Sequence, residues 1–457
     1  MLHAKPALES FADWASSVSS DDLKAGYERA GHAILDTLAC MVSGQGSDST
    51  AMALTAVGGW GQGDATVVGH DCQLPAPFAA VVNAASAHCQ DWDDHELPGQ
   101  THPSAVLVPA VLALGEERGL SGVAVLDAYV VGLEAIIRIG EACGISLYSR
   151  GWHATSTIGA IGAAAACARL LGLDSQATAH ALGLSISMAS GFINQFGTTA
   201  KHLHCGLAAK AGIMAAGFAQ AGFDASHDGF DGTFSLLTRM AGEDAPGFSA
   251  FDAKLGKPLA IIEHGVVVKR YPSCGCTQRI MDGVEDLRAE HGFTAGDVVS
   301  IIGRLPAEYM AVLQYERPQN AAQARFCMEY CVAAQLLDGA LSPEHFTPES
   351  LLRTDLASMM PRITKAELCE ADGPTYSAVG LADEIVEIAL TDGRNLRLVV
   401  RDPVGSPSRP MSQEAFEAKA RRCFSGTLQE PDQDAVIALC GDLAHCDQVG
   451  KLMRFVA

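Results

Sequence analysis

Between about residues 78 and 222 the chain carries one helical stretch after another, and many are apolar nearly all the way round. A helix without a polar face cannot lie on a protein surface, so several of these must be central members of a bundle. The stretches fall at about 78–90, 104–117, 122–143, 153–171, 175–194 and 201–222. An amphipathic helix precedes them, with Leu23, Tyr27, Ala30, Ile34, Leu38 and Met41 at spacings of three and four. Alanine and glycine are abundant and aromatic residues only 6%, which favours close crossings between small side chains. Glu134 and Arg138, one turn apart, read as a buried pair that satisfies itself.

The texture changes near residue 256. Residues 298–302 read as a strand, and 386–390 with 396–400 as a hairpin through Asp392-Gly393. Helices are expected at about 320–339 and 348–359, and again at about 412–424 and 432–445. The Pro- and Ser-rich run from Asp402 to Pro410 is the expected crossing point. The predicted fold is mainly α: a large all-helical domain of residues 1–255, completed by C-terminal helices of 411–457, plus a smaller α+β lid domain of 256–410. A chain of 457 residues is long enough for two such domains.

Lys and Arg number 31 against 53 Asp and Glu, a net charge of −22 that argues against nucleic-acid or anionic-membrane partners. No segment reaches about 18 uninterrupted apolar residues, so no membrane span is expected. The N-terminus lacks the pattern of a signal peptide. Fourteen scattered cysteines without a CxxC pair read as reduced, mostly buried thiols of a cytoplasmic protein.

Four segments could carry chemistry. The first, Asp91-Trp92-Asp93-Asp94-His95-Glu96 followed by His102-Pro103-Ser104, sets carboxylates beside imidazoles, and each can tune the other's pKa for acid–base work. In the second, Gly151–Gly162, the spacing is not that of a dinucleotide loop. Instead His153, Thr155, Ser156 and Thr157 crowd a helix start where amides favour an anion. Capping explains some of them, but not His153. The third places Lys201, His202 and His204 at the head of an alanine-rich helix, where Lys201 suits a carboxylate. The two histidines would point about 200° apart on that helix, which disfavours a shared metal. In the fourth, Lys269 and Arg270 form a second anion clamp before the turn holding Cys274 and Cys276.

Together these motifs resemble the MmgE/PrpD family of 2-methylcitrate dehydratases, cis-aconitate decarboxylases and iminodisuccinate epimerase. The resembling stretches are D-W-D-D with H-P-S at 91–104, G-W-H-A-T-S-T at 151–157, F-G-T-T-A-K-H-L-H at 196–204 and K-R-Y-P-S-C at 269–274. A fifth is R-P with Q-A-R-F at 317–326. The resemblance implies a homodimer without cofactor or metal, and an interdomain site of Asp91, His102, His153, Lys201 and Lys269, with Tyr315 before the R-P motif. His95 stands where many decarboxylases have Thr, and Cys274 where the animal decarboxylases have His. That second departure counts against cis-aconitate decarboxylation. The pattern around the Asp motif also differs from that of dedicated 2-methylcitrate dehydratases.

The chain therefore reads as a cofactor-independent lyase or isomerase acting on a small anionic carboxylate. Catalysis is assigned to Asp91, His102, His153, Lys201 and Tyr315, and substrate binding to His95, Thr155, His204, Lys269, Arg270 and Cys274. A metal-dependent hydrolase and a non-catalytic dimeric carboxylate-binding protein are the competing readings.

Overall fold

The computed structural model describes residues 5–369, Asp372 and 383–457. Its first core is built from α1 (Ala7–Ser17), α2 (Tyr27–Gly44), α3 (Ala76–His88), α4 (Pro103–Glu117), α5 (Gly122–Cys143), α6 (Ala154–Leu170), α7 (Ser175–Ile186) and α8 (Thr199–Gln220). Every residue of α6 except Arg169 is buried. Its Gly and Ala residues allow that, because they let neighbouring helices come to backbone distance. A Cβ on Gly212 of α8 would lie 2.3 Å from that of Ala163, and a Cβ on Gly132 of α5 would lie 2.9 Å from the carbonyl oxygen of Gly162 of α6. Glu134 and Arg138 form a buried pair at 3.0 Å, tied to the chain through Pro258 O.

A second core follows, holding α9 (Gly275–His291) and α10 (Met328–Asp338) against a four-stranded sheet. The strands are β1 (Val298–Leu305), β2 (Ile363–Glu367), β3 (Glu384–Leu390) and β4 (Asn395–Val400), in the order β2-β1-β3-β4. β1 runs parallel to β2 and antiparallel to β3, and β3 and β4 form the expected hairpin. Ile301 sits between Ile363 and Ile388, and Gly283 lets α9 lie against Val386 and Val400. The protein is mainly α with this small α+β part.

The chain then returns. Phe416 and Phe424 of α11 (Gln413–Phe424) and Val436 of α12 (Glu430–Gly441) are buried in the first core. The connections that leave and re-enter that core pair with each other, Val268 N–H donating to Gly405 O at 3.0 Å. At Gly405, φ is +94°, and a Cβ would meet Val268 O at 1.9 Å, so only glycine fits.

Four elements differ from the sequence-based expectation, one of them the helix over 348–359, which breaks at Leu352-Arg353. The helix expected over 175–194 stops at Ile186, because Gly191 must come close to His153 and its Cβ would be 2.9 Å from Ser156. The helix expected over 320–339 is interrupted between Ala324 and Met328, where Arg325 donates to Gln90 O and the Phe326 ring lies under Lys201. β2 was not anticipated, since Ile363-Thr364-Lys365-Ala366-Glu367 is too short and polar to announce an edge strand. Among the described residues no helix is long and apolar enough to cross a membrane.

Candidate active site

After α3 the chain turns through Asp91, whose φ of +54° is a left-handed value that Asp tolerates better than most residues. The acidic turn that follows is buried, not solvated, and each carboxylate has its own partners. Glu96 accepts from Gly99 N–H, Thr101 N–H and the Thr101 hydroxyl, which closes the loop on itself. Asp94 accepts from the Ser104 hydroxyl at the start of α4. Asp93 Oδ2 lies 2.8 Å from His88 Nδ1 and 3.3 Å from His102 Nδ1. Asp91 is bridged by two cations, Lys269 Nζ at 2.5 Å from one oxygen and Lys201 Nζ at 3.0 Å from the other. Asp91 and Lys201 are each 2% exposed and Lys269 0%, so this triad is closed off from water.

Helix starts deliver the surrounding groups. His102 is the residue before α4, His153 the residue before α6, and Cys274 the residue before α9, while Lys201 lies in the first turn of α8. Neither histidine side chain caps its helix, so the amide ends of these helices contribute a positive potential suited to an anion. The Thr155 hydroxyl accepts from His102 N–H at 3.0 Å and ties α4 to α6. His153 and His204 meet through their Nδ1 atoms at 2.9 Å. The His88 ring stands 4.7 Å from that of His102 and 6.5 Å from that of His153. Lys201 lies over the rings of Phe196 and Phe326.

The protonation states follow from this packing. His102 Nδ1 also lies 2.8 Å from the Asp94 carbonyl oxygen. Both its neighbours, that carbonyl and the Asp93 carboxylate, only accept, so Nδ1 carries the proton and Nε2 keeps its lone pair. Nε2 is 3.9 Å from Asp91 Oδ1. Burial lowers the His102 pKa, with the Lys269 charge adding to it, so the ring is a neutral base at neutral pH. Burial, then His204 and Lys201, put His153 well below its ordinary value. Burial alone would push Asp91 up, but Lys201 and Lys269 hold it well below the usual carboxylate range. Burial lifts Asp94 to about 8, so it is a neutral acid at pH 7.

The structure gathers Asp91, His102, His153, Lys201 and Lys269 around one point. His204 stands behind His153, and Thr155 is committed to the backbone of His102. His95 is fixed through its backbone to Val267, its ring 6.3 Å from that of His102 and its Nδ1 without a partner. Cys274 is buried with its N–H bonded to Arg325 O, and the Cys276 thiol beside it lowers its pKa. Tyr315 is one step removed, donating to Phe196 O at 2.9 Å while the Phe196 ring packs on His153. Arg270 turns away, because its guanidinium lies over the Tyr271 ring, 3.5 Å from Asp282 and 40% exposed.

Sequence reasoning assigned no role to His88, Asp93 and Arg325. His88 closes an apolar helix and looks like a core residue until its Asp93 partner is seen. Arg325 lies within the Q-A-R-F stretch and donates to Gln90 O just before Asp91. His88, Asp91, Asp93 and His102 each offer a ligand atom within 4.8 Å of the others. Both Asp91 oxygens already accept from ammonium groups, however, and a metal ion there would face two positive charges.

The MmgE/PrpD N-terminal domain model matches residues 9–249 and the MmgE/PrpD C-terminal domain model matches 271–443. A cis-aconitate decarboxylase of Aspergillus terreus is 26% identical over 468 residues, 97% of this chain and 94% of its own length. Those of Homo sapiens and Mus musculus are each 27% identical, covering 86% and 84% of this chain and 81% and 80% of their own lengths. With both domains matched in order across most of its residues, the chain belongs to the MmgE/PrpD family.

Proposed function

We propose that this chain is a cofactor-independent enzyme that moves a proton at a carbon next to a carboxylate of a small di- or tricarboxylate. The observation that carries this is the buried Asp91 bridged by Lys201 and Lys269, with the unprotonated Nε2 of His102 beside it. With Asp93 also ionised nearby, the two carboxylates balance the two ammonium groups, so an incoming anion is drawn by the lysine N–H groups and by the helix starts. A carbon acid next to a carboxylate is weak, so such cations must take up the charge that develops as a base removes the proton. His102 Nε2 is that base, His153 the second proton carrier, and Asp91 holds the two lysines in place.

Two outcomes share this first step, and a third uses the same cations and proton carriers without it. The electron pair left on carbon can expel hydroxide from the neighbouring carbon, which is dehydration. It can take a proton on the other face, which is epimerisation. Decarboxylation runs without that step: the bond from carbon to a carboxylate breaks, CO2 leaves, and the electron pair left behind takes a proton from an acid such as a protonated histidine. The names of the relatives support testing cis-aconitate first, while Cys274, where the resemblance implies a His in the animal decarboxylases, favours one of the other outcomes.

The closed triad means that substrate enters only when the α+β part, acting as a lid, separates from the helical core. The fourteen free thiols, nearly all buried, support a cytoplasmic setting. The outer face of α8, where Leu203, Leu207 and Phe218 are 37–39% exposed, supports a homodimer. The experiment is incubation with a panel of di- and tricarboxylates in heavy water. Deuterium is expected at the carbon beside a carboxylate of one member, and Asp91→Asn should abolish it. No exchange and no product from any member would end this reading.

A further inference from the structure

A cavity of about 510 Å³ lies between the α+β part and α11, directly behind the Asp91 turn. Its size is that of a small-molecule site. Its lining includes Trp92, Arg270, Tyr271, Gln335, Lys419 and Arg422, and none of the histidines of the catalytic cluster. Three cations therefore border it in a protein whose net charge is −22. The acid among the lining residues, Glu285, is engaged by Arg288 at 2.6 Å. Lys419 is held by Asp36 and by Trp92 O, and Arg422 by Glu344. Among the described residues Arg270 has the Tyr271 ring and a long 3.5 Å approach to Asp282, so its fork is open to a second anion.

Gln335 makes a separate observation. It is 1% exposed, and its amide nitrogen donates to the Tyr271 hydroxyl and to Met281 O. Its Oε1 has no partner. A buried acceptor left bare costs about 1–3 kcal/mol, which a ligand bringing an O–H or N–H would relieve.

We propose that this cavity is a second ligand site, separate from the catalytic one, for a small carboxylate that also carries a hydroxyl or amino group. The carboxylate meets Arg270 and Arg422, and the donor meets Gln335 Oε1. Its occupant reports to the catalytic site, because Arg270 and Trp92 are the chain neighbours of Lys269 and Asp91. The Trp92 indole N–H donates to Arg270 O at 3.3 Å, so the two neighbours move together. This coupling rests on the reading of Asp91 and Lys269 given above, whereas the binding does not.

The test is calorimetric titration of the full chain with citrate, which has a hydroxyl, and with tricarballylate, which is the same tricarboxylate without it. Citrate should bind at least tenfold more tightly than tricarballylate. Arg270→Gln should weaken citrate at least tenfold, and Ala418→Leu, which narrows the cavity from an exposed helix position, should do the same. In kinetics citrate should change kcat without competing with substrate, and Ala418→Leu should remove that effect while leaving basal turnover intact. Equal affinity for the two probes, unchanged affinity in either variant, no citrate binding, or simple competition with substrate would each overturn the site. Deuterium exchange into substrate without citrate tests the catalytic reading on its own.

Discussion

At the residue scale the site is a set of buried charges, each of which depends on its partner. On the proposed reading, His102→Ala should lower turnover about a hundredfold or more while the fold survives, because only the proposed base is lost. Its pKa is lowered from the ordinary 6.5, so the basic form persists to more acidic pH than a free imidazole allows. The kcat/KM profile should stay flat down through pH 6.5 and fall only below it. A midpoint at 6.5 or higher would take the base role from His102. Lys269→Met does two things at once. It removes a cation meant for substrate, and it leaves Asp91 with one ammonium group instead of two. Denaturation should show a loss of about 3–5 kcal/mol, and Asp91→Asn in the same chain should recover part of it. A single variant as stable as the parent would mean that Asp91 does not depend on Lys269.

Asp94 gives a pH signature of opposite sense. Its folded-state pKa is raised to about 8, so above its unfolded value the unfolded chain releases a proton that the folded chain retains. The stability it supports is full at low pH and is lost progressively as pH rises toward 8. Asp94→Asn should therefore gain on the parent between pH 5 and pH 8, as measured by urea melts at both. A constant difference would show that Asp94 ionises normally. The composition drew attention to the acidic turn with its imidazoles, and the family resemblance singled out Asp91 and His102 within it. Nothing in the sequence could reveal that Asp93 partners His88, since that pairing exists only once α3 and the turn are folded.

Elements are placed here by what they need to touch. The crossing of α6 and α8 depends on Gly212, where a methyl group would run into Ala163 at 2.3 Å and into its backbone. Gly212→Ala should cost about 1–3 kcal/mol in chemical denaturation despite its better helix propensity. A stabilised variant would mean that the helices are free to separate. The apolar helices were legible from their period because their surroundings are uniform. The helix over 320–339 was overestimated because periodicity ignores the demand that Arg325 reach Gln90 and Phe326 lie under Lys201. That demand is tertiary, and it breaks the helix where the local sequence would continue it.

For the whole molecule, the exposed Leu203, Leu207 and Phe218 form a stripe along α8, the helix that also carries Lys201. Leu207→Glu should shift light-scattering mass from dimer toward monomer, and a parent that is already a monomer at micromolar concentration would remove the homodimer. The mainly helical character and the α+β part were readable from the change of period near residue 256. The pairing of Val268 with Gly405 was not, because a backbone contact between distant segments leaves no periodic trace.

One pairing sets an order of events. Asp36 is buried in α2, and its cation, Lys419, arrives from α11 near the end of the chain and also holds Trp92 O beside Asp91. A ribosome delivers these groups hundreds of residues apart, so the helical core emerges with a bare acid at its centre and an unanchored acidic turn. Cutting the gene at the family-model boundaries would make that interim state permanent, since residues 9–249 alone lack Lys419. A split form of this protein therefore has to keep α11 with the helical core if Asp36 is to have its cation and the acidic turn its anchor.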